Sequence, residues 1–404
     1  MFGKPMNPAR AFYKRPFFAY DMSAPSRLTN LWKTIFPRIQ PYYAVKSNPD
    51  ENLIDALAGD GVNFDCASLG EIELVMNRGV PADRIIFAHT MKFPEHLARA
   101  ADLGVDLTTF DGHHELAKIA RFHPASRALL RIRSDDPDAR CLLGNKFGAE
   151  SHEIRGLLEK ARDLGVNFKG VAFHVGSGSK NAEAYYRAIR LAGETFGVAR
   201  ALGFAPDTLD IGGGFCVNAD ATGLEGDVDV RVNAALDEFF PQDLVKVVAE
   251  PGRFFSESFG SYAVRVVGKR ERSGAIEYFL NDGVYGSFGN VVYEKYVPKH
   301  VTVHRAGDSG GLFDSVLYGP TCDSVDKLGS VMLPKLDVDD WLVFDRFGAY
   351  TAATSTKFNG YGHHDVYYDF SGVSVPAGGR TRGTERSPPT ARRTPAGVPH
   401  RHLP

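Results

Sequence analysis

Lys46 ends the short aromatic and apolar segment PYYAVK, residues 41–46. Barrel and open α/β folds place their chemistry at the carboxyl ends of buried strands, which is where this segment would put the amine. Partial desolvation there would lower the pKa of Lys46 and make its amine nucleophilic toward an aldehyde. On this segment alone, a lysine that extends from a strand end into solvent is an equally good interpretation.

Other polar residues and glycines follow apolar runs in the same way. They are Asp65, His89, Arg131, His174, Gly212, Gly213, Gly214 and Glu250, each at or just past the end of a run. In an α/β barrel the strand ends meet on one face, so these positions would converge although they lie far apart in the chain. Neither core packing nor solvated loops would place so many functional groups in register.

These residue types meet the needs of pyridoxal phosphate, which requires an amine for its aldehyde, an anion for its ring nitrogen, a stacking group and a phosphate cradle. Lys46 supplies the amine, Glu250 the anion and His174 a flat ring. A surface glutamate is a poor interpretation of Glu250, because the preceding residues are apolar. A lone histidine at such a place is more often a structural, hydrogen-bonded residue than a ligand.

Donors for a phosphate are also present. Ser177 offers a hydroxyl, the run Gly212-Gly213-Gly214 offers backbone N–H groups, and Arg253 offers a fixed positive charge. A triple glycine by itself is often only a turn, so the prediction depends on the whole set.

Two further features lie in the last third of the chain. Cys322 and Asp323 stand together in a turn-like segment, although a free cysteine is more often buried and inert. Tyr293 and Glu294 follow an aromatic, glycine-rich stretch. Acids in such surroundings indicate recognition of a cationic group.

Eight short apolar runs alternate with helix-period segments before residue 250. The runs are residues 42–45, 62–66, 85–89, 105–110, 128–132, 170–175, 208–211 and 245–249. Several helix-period segments end before a glycine, at Gly79, Gly104, Gly165 and Gly203, the residue favoured just past a helix. This pattern predicts an α/β fold, a (β/α)8 TIM barrel, with an open doubly wound sheet as the alternative.

The pattern changes after Glu250. Apolar runs at 261–269 and 276–281 flank Arg272-Ser273-Gly274, which predicts a β-hairpin, and residues 316–318 and 341–345 are further strands. We therefore predict a pyridoxal-phosphate-binding barrel over 17–252 and a mainly β C-terminal domain over 253–370, joined by the N-terminal strand. Residues 371–404 are rich in Pro and Arg, and we expect them to be disordered.

Charge and cysteine content narrow the function classes. The net charge is −2, but six Arg and one Glu in residues 376–404 give that segment +5 and leave −7 elsewhere. An acidic body argues against nucleic-acid binding and suits a cationic small substrate. The four cysteines form no CxxC pair, no metal site is predicted, and no run reaches membrane-spanning length, so a reducing, cytoplasmic setting is expected.

From about Phe17 to Tyr368 the chain resembles the eukaryotic-type ornithine decarboxylases, fold type III pyridoxal-phosphate enzymes with an alanine-racemase-like barrel and a C-terminal β domain. The segments that carry the resemblance are YAVK (43–46), NFDCAS (63–68), FAH (87–89), LRI (130–132), KFGA (146–149), FHVGSG (173–178), DIGGGF (210–215), AEPGRF (249–254), GPTCD (319–323) and GAYT (348–351). Together they are very specific.

The resemblance implies roles for individual residues. Lys46 would bind the cofactor aldehyde, Glu250 the ring nitrogen, and His174 would stack on the ring. Cys322 would donate a proton to the carbon that loses carbon dioxide. The implied cofactor-binding residues are Lys46, Asp65, Arg131, His174, Ser177, Gly212, Gly213, Gly214, Glu250, Pro251, Gly252, Arg253 and Tyr350, with Glu71 beside Lys46; the implied substrate-binding residues are Tyr293, Glu294 and Asp323.

Partners and product also follow from the resemblance. In this family Cys322 and Asp323 would enter the site of the partner subunit, so a homodimer with shared active sites is expected. The implied reaction converts L-ornithine to putrescine and carbon dioxide, in polyamine biosynthesis. The basic C-terminal segment matches no animal degradation tail, which makes antizyme binding doubtful.

One departure bears on the substrate. The family's ornithine enzymes usually have Tyr-Asp where this chain has Tyr293-Glu294. The extra methylene moves the carboxylate by roughly an ångström, so arginine and lysine are alternatives to ornithine. Diaminopimelate decarboxylase is disfavoured because Glu294 and Asp323 would repel the distal carboxylate, and a racemase would not need Glu250. A catalytically inactive binding homologue is disfavoured because Lys46 and Cys322 are present.

Overall fold

The first strand, β1 (Phe17–Asp21), does not enter the barrel that the following strands build. It joins a C-terminal sheet, antiparallel to one strand and parallel to another. The structure is a computed structural model that describes residues 14–241, 244–297, 301–304 and 311–372. β1 is thus part of the C-terminal sheet, and the predicted division of the chain into domains stays a prediction.

Eight parallel strands close into a barrel, which confirms the predicted fold. They are β2 (Ile39–Ala44), β3 (Asn63–Cys66), β4 (Ile85–Phe87), β5 (Leu107–Phe110), β6 (Arg127–Arg131), β7 (Asn167–Ala172), β8 (Thr208–Asp210) and β9 (Lys246–Ala249). β2 pairs with β3 on one side and with β9 on the other, which closes the circle. Parallel strands covered on both faces carry near-continuous apolar runs, which is why the sequence revealed them.

Side chains fill the barrel interior. A buried cluster combines Tyr42, Ile86, Leu107, Leu129, Ala172 and Val248, contributed by six of the strands. Alternate residues such as Tyr43 belong to the larger core between strands and helices. Because the interior is packed, the room for a ligand lies beyond the strand ends.

Helices form the outer layer of the barrel. They are α1 (Ala24–Ile35), α2 (Glu51–Gly59), α3 (Leu69–Asn77), α4 (Pro94–Asp102), α5 (His113–Phe122), α6 (Ile154–Asp163), α7 (Ala182–Ala201) and α8 (Val228–Phe239), followed by the short helices α9 (Arg253–Ser256) and α10 (Asn290–Tyr293). The four predicted terminating glycines each lie two residues past a helix with positive φ, from +68° to +91°. Glycine adopts this conformation without a Cβ penalty, so these helix ends were readable from sequence.

A mainly antiparallel sheet follows the barrel. Its strands are β10 (Gly260–Arg272), β11 (Ala275–Leu280), β12 (Val301–His304), β13 (Phe313–Tyr318), β14 (Lys327–Leu333), β15 (Trp341–Phe344) and β16 (Asp365–Asp369). β10 and β11 form the predicted hairpin, with Ser273 and Gly274 both at positive φ, as a two-residue type I′ turn requires. The sequence did not predict β12, β14 or β16.

The predicted domain boundary after Gly252 falls between the end of β9 and the start of α9, and it stays a prediction. The predicted tail, residues 371–404, lies outside the described residues beyond Gly372. Among the residues that the structure describes, no helix combines the length and apolar character needed to cross a bilayer.

Candidate active site

A cavity of about 360 Å³ opens at the carboxyl ends of the barrel strands. The predicted site residues in its wall are Lys46, His89, Arg131, His174, Ser177, Glu250, Tyr293, Glu294 and Tyr350. Lys46 follows β2, Arg131 ends β6 and Glu250 follows β9, so strand ends bring together residues far apart in sequence. The C-terminal domain contributes the last three of the set.

Lys46 lies in a 3₁₀ turn, Val45–Ser47, directly after β2. Its Nζ is 2.6 Å from Oδ2 of Asp65, whose side chain is fully buried in β3. Desolvation acts to lower the pKa of Lys46, but the carboxylates of Asp65 and Glu250 together raise that pKa above its usual value. The expectation of a lowered pKa is therefore wrong, because two neighbouring acids favour the charged amine.

Glu250 belongs to a buried group of acids. Desolvation, and then the carboxylates of Asp210 and Asp65, raise the pKa of Glu250 well above its usual range. Desolvation likewise raises the pKa of Asp210 to about 7, although its Oδ1 accepts a hydrogen bond from the Gly212 N–H at 2.8 Å. A cationic N–H beside Glu250 would relieve this repulsion, so the acids fit a protonated ring nitrogen.

His174 follows β7 and is neutral. Its Nδ1 accepts a hydrogen bond from the Gly176 N–H at 3.0 Å, so its ring proton lies on Nε2. Desolvation, together with the positive charges of Arg131 and Lys46, lowers the pKa of His174 well below its usual value. A neutral flat ring suits the predicted stacking role, since it adds no further positive charge to the site.

The three glycines after β8 run close to neighbouring backbone. A Cβ on Gly212 would lie 2.1 Å from the Phe173 carbonyl oxygen, and one on Gly214 would lie 2.5 Å from that of Gly176. Both glycines have positive φ, +65° and +105°. Only glycine fits here, and a backbone free of side chains is what a phosphate cradle needs.

Arg253 provides the predicted positive charge for a phosphate. Its side chain is almost fully buried, its Nη2 lies 3.4 Å from Ser177 Oγ, and its guanidinium carbon lies 5.2 Å from the centre of the Tyr350 ring. Gly252 permits this packing, because a Cβ there would lie 3.1 Å from the Tyr350 hydroxyl. The carbonyl of Pro251 accepts a hydrogen bond from the N–H of residue 44 at 3.4 Å, which ties this turn to the end of β2.

Glu294 lies in the cavity wall beside Tyr293, as the sequence suggested, but its carboxylate is bound to Arg253. The side chains of Arg253 and Glu294 are only 6% and 8% exposed. Glu294 therefore faces the predicted phosphate site, and it is not paired with Asp323.

Cys322 and Asp323 do not line the cavity of their own chain. The Cys322 side chain is exposed, with Sγ 3.3 Å from Asn359 Oδ1. Asp323 accepts a hydrogen bond from the Tyr285 hydroxyl at 2.5 Å, and this bond lowers the pKa of Asp323. A single chain does not bring Cys322 and Asp323 to the cavity, so their catalytic and substrate-binding roles stay predictions.

Burial raises the pKa of Glu71, and Asp65 and Lys46 act on it as neighbouring charges, so its implied place beside Lys46 stays a prediction. Its carboxylate accepts the Ala67 N–H at 2.6 Å, while Ser68 Oγ accepts the Glu71 N–H at 3.2 Å. These two bonds hold the start of α3, where Ser68 is the N-cap, and Ala67 lies in the cavity wall whereas Glu71 does not.

Several residues that line the cavity were not predicted from the sequence, namely Cys141, Leu143, Phe147, Asn290 and Thr354. Phe147 packs under Arg131, with the guanidinium carbon 4.9 Å from the ring centre. The segment KFGA pointed to this region but not to this contact. No sequence signal marks the other four, since they come from loops, a short helix and a 3₁₀ turn.

Comparison with known families agrees with this geometry. Residues 25–257 match the family described as "Pyridoxal-dependent decarboxylase, pyridoxal binding domain". The chain belongs to this family. The decarboxylase is 38% identical to ornithine decarboxylase of Mus musculus over 374 residues, covering 89% of this chain and 81% of the relative. It is 41% identical to antizyme inhibitor 2 of Xenopus laevis over 366 residues, covering 87% and 80%.

A solved structure is also similar. The arginine decarboxylase of Paramecium bursaria Chlorella virus, bound to agmatine, superposes on the decarboxylase with a TM-score of 0.87 at 47% identity, covering 89% of this chain and 97% of the viral one. The decarboxylase is thus a pyridoxal-phosphate-dependent enzyme that acts on a cationic amino acid. The buried acids at Glu250, the neutral His174 and the glycine run after β8 all fit that cofactor.

Proposed function

We propose that the decarboxylase removes the α-carboxyl group of L-arginine and releases agmatine. The observation that carries this proposal is the position of Glu294, whose carboxylate lies in the cavity wall and holds the guanidinium of Arg253. A guanidinium presents parallel N–H donors that match a carboxylate, and the longer glutamate side chain suits a distal guanidinium. The 47% identity to a viral arginine decarboxylase supports the same substrate.

L-Ornithine, with putrescine as product, is the second candidate. It was the substrate that the sequence favoured, and the 38% identity to mouse ornithine decarboxylase supports it. The distal ammonium of ornithine would also pair with an acid at this end of the cavity. The place of Glu294 moves our preference to arginine.

The predicted residues would divide the work as follows. Lys46 would bind the cofactor aldehyde, and Asp65 would hold the Lys46 ammonium until then. Glu250 would face the ring nitrogen, and His174 would cover the ring. Pyridoxal phosphate, when bound, supplies the electron sink that makes loss of carbon dioxide possible.

The rest of the site would come from a second copy of the chain. Cys322 and Asp323 lie on the surface, away from the Lys46 cavity, as residues donated to a partner would. In a homodimer Cys322 would deliver the proton that replaces the lost carboxyl, and Asp323 would join Glu294 at the cationic end of the substrate. Arg253, with Ser177, would hold the cofactor phosphate.

Two further assignments belong to this proposal. We assign the enzyme to the cytoplasm on its cysteine usage alone. Its relative in Xenopus laevis is an antizyme inhibitor, which supports testing this chain for antizyme binding, although its basic tail made that interaction doubtful. The test is titration of the purified enzyme with an antizyme, followed by measurement of the mass of the complex. A change in mass would show antizyme binding, and an unchanged mass would show that the enzyme does not bind it.

The substrate is tested by carbon dioxide release from arginine, ornithine and lysine, measured side by side. We expect the largest kcat/KM for arginine. Glu294→Gln should lower kcat/KM for arginine. The loss should correspond to about 1.5–3 kcal/mol of transition-state free energy, the cost of a lost hydrogen bond to a charged group. Glu294→Asp should shift the ratio toward ornithine, because specificity is a ratio of transition-state affinities.

The matched control is Glu183→Gln, which removes an acid paired with Arg231 outside the cavity. It should leave all three values unchanged. A larger kcat/KM for ornithine than for arginine in the wild type would reject our choice. A Glu294→Asp variant with the wild-type ratios would show that this residue does not read the substrate.

A further inference from the structure

The two buried acids on Arg253 are not equivalent. Arg253 Nη1 lies 3.3 Å from Glu257 Oε1, and Nη2 donates to Glu294 Oε1 and to Ser177 Oγ. Glu257 also binds Arg346 at 2.8 Å and Arg140 at 3.4 Å, so it remains neutralised without Arg253. Among the described residues, Arg253 is the only cation paired with Glu294.

The position that Glu294 occupies is the position that a phosphate needs. The predicted phosphate donors include Ser177 and Arg253, and the same Nη2 atom serves both Ser177 and Glu294. A phosphate monoester carries a charge of about −1.5 to −2 near neutral pH. Two anions cannot share one buried guanidinium donor without strong repulsion, so one must displace the other.

We propose that Glu294 and the cofactor phosphate exchange on Arg253. Without cofactor, the Glu294 carboxylate neutralises the buried guanidinium. When the phosphate binds, the carboxylate is released into the cavity, where it is free to pair with the cationic end of the substrate. This last step rests on the proposed function, whereas the exchange itself does not depend on which substrate the enzyme uses.

The exchange gives the site an order of assembly. Glu294 lies at the end of the short helix α10, and its backbone N–H donates to the Asn290 carbonyl at 2.9 Å, so its side chain can turn while its backbone stays fixed. Substrate cations would find their acid available only in protein that already holds the cofactor. By linkage, a cation bound to Glu294 must also strengthen phosphate binding.

The first test measures binding rather than turnover. Dissociation constants for pyridoxal phosphate and for pyridoxal, which has no phosphate, are determined by fluorescence titration of cofactor-free wild type, Glu294→Gln and the control Glu183→Gln. Removing the competing charge should tighten pyridoxal phosphate binding to Glu294→Gln about tenfold. Pyridoxal binding should stay within about twofold of wild type, and Glu183→Gln should match wild type for both ligands.

Unchanged or weaker pyridoxal phosphate binding in a folded Glu294→Gln protein would overturn the exchange. Equal tightening for pyridoxal would do the same, because the effect would not involve the phosphate. If the exchange holds while Glu294→Asp leaves the substrate ratios unchanged, only the substrate proposal fails.

A second measurement needs no variant. Inorganic phosphate is titrated into cofactor-free wild type with and without saturating agmatine, a guanidinium cation without a carboxylate. Agmatine should tighten phosphate binding about threefold or more, a coupling within the usual range for linked sites. Agmatine that binds without changing phosphate affinity contradicts the exchange, whereas agmatine that does not bind counts against the proposed function and leaves the variant test to decide.

Discussion

Replacing Asp65 by Asn should make the Lys46 amine reactive at lower pH. Asp65 Oδ2 lies 2.6 Å from Nζ, and this acid is the first of the charges that raise the pKa of Lys46. A lysine with a raised pKa is unprotonated only at high pH, so its amine captures an aldehyde slowly near neutrality. Without the Asp65 charge, desolvation has less opposition, and the pKa must fall.

The size of the change follows from the geometry. The carboxylate charge is shared by two oxygens, so the charge centres lie farther apart than the 2.6 Å contact. Two unit charges about 4 Å apart interact by about 4 kcal/mol at an effective dielectric constant of about 20. Because 40% of the Lys46 side chain is exposed, solvent screening reduces this to about 2 kcal/mol. That free energy corresponds to a change of about 1.5 in the pKa of Lys46.

The assay is the rate of covalent capture of pyridoxal phosphate by cofactor-free protein, followed by stopped-flow absorbance over a neutral to alkaline pH series. The pH midpoint for Asp65→Asn should lie at least about 1 pH unit below that of wild type, in line with the expected pKa change of about 1.5. Glu183→Gln, which removes an acid on the outer helix α7, should keep the wild-type midpoint. An Asp65→Asn midpoint equal to or above that of wild type would refute the electrostatic argument.

Three further predictions concern assembly, stability and the tail. Lys46→Ala and Cys322→Ala should each be inactive. Mixing them with random subunit exchange should restore about a quarter of wild-type activity, because half the dimers then hold one intact site. No recovery after verified exchange would reject the shared site. Lys92→Met should lower the free energy of unfolding by about 3 kcal/mol in urea titration, because the buried Lys92 amine bonds Glu115 at 2.8 Å and two backbone carbonyls. A loss below about 1 kcal/mol would contradict this expectation. Removal of the residues after Gly372 should leave kcat and Tm unchanged, whereas a large loss of either would show that the tail binds the body.

Much of the fold was readable from the sequence because the barrel repeats a local pattern. Each buried parallel strand is a short apolar run, and each of four helices ends at a glycine with positive φ. β14 was not predicted, because its exposed positions and Gly329 interrupt the apolar pattern. β16 was not predicted because its strand conformation depends on pairing with β1, more than 340 positions earlier in the chain.

The sequence by itself determined the kind of chemistry, since a lysine, an acid, an imidazole and a glycine run at successive strand ends must converge on one face of a barrel. Only the tertiary structure decided the charge states of the residues that carry out this chemistry. The pKa of Lys46 rises because Asp65 and Glu250, from strands on either side, outweigh desolvation, and spacing along the chain does not report that balance. The same holds for Glu294, whose contact with Arg253 joins residues 41 positions apart in the chain. Residue types can be read from a chain, whereas electrostatic partners exist only once distant segments are in contact.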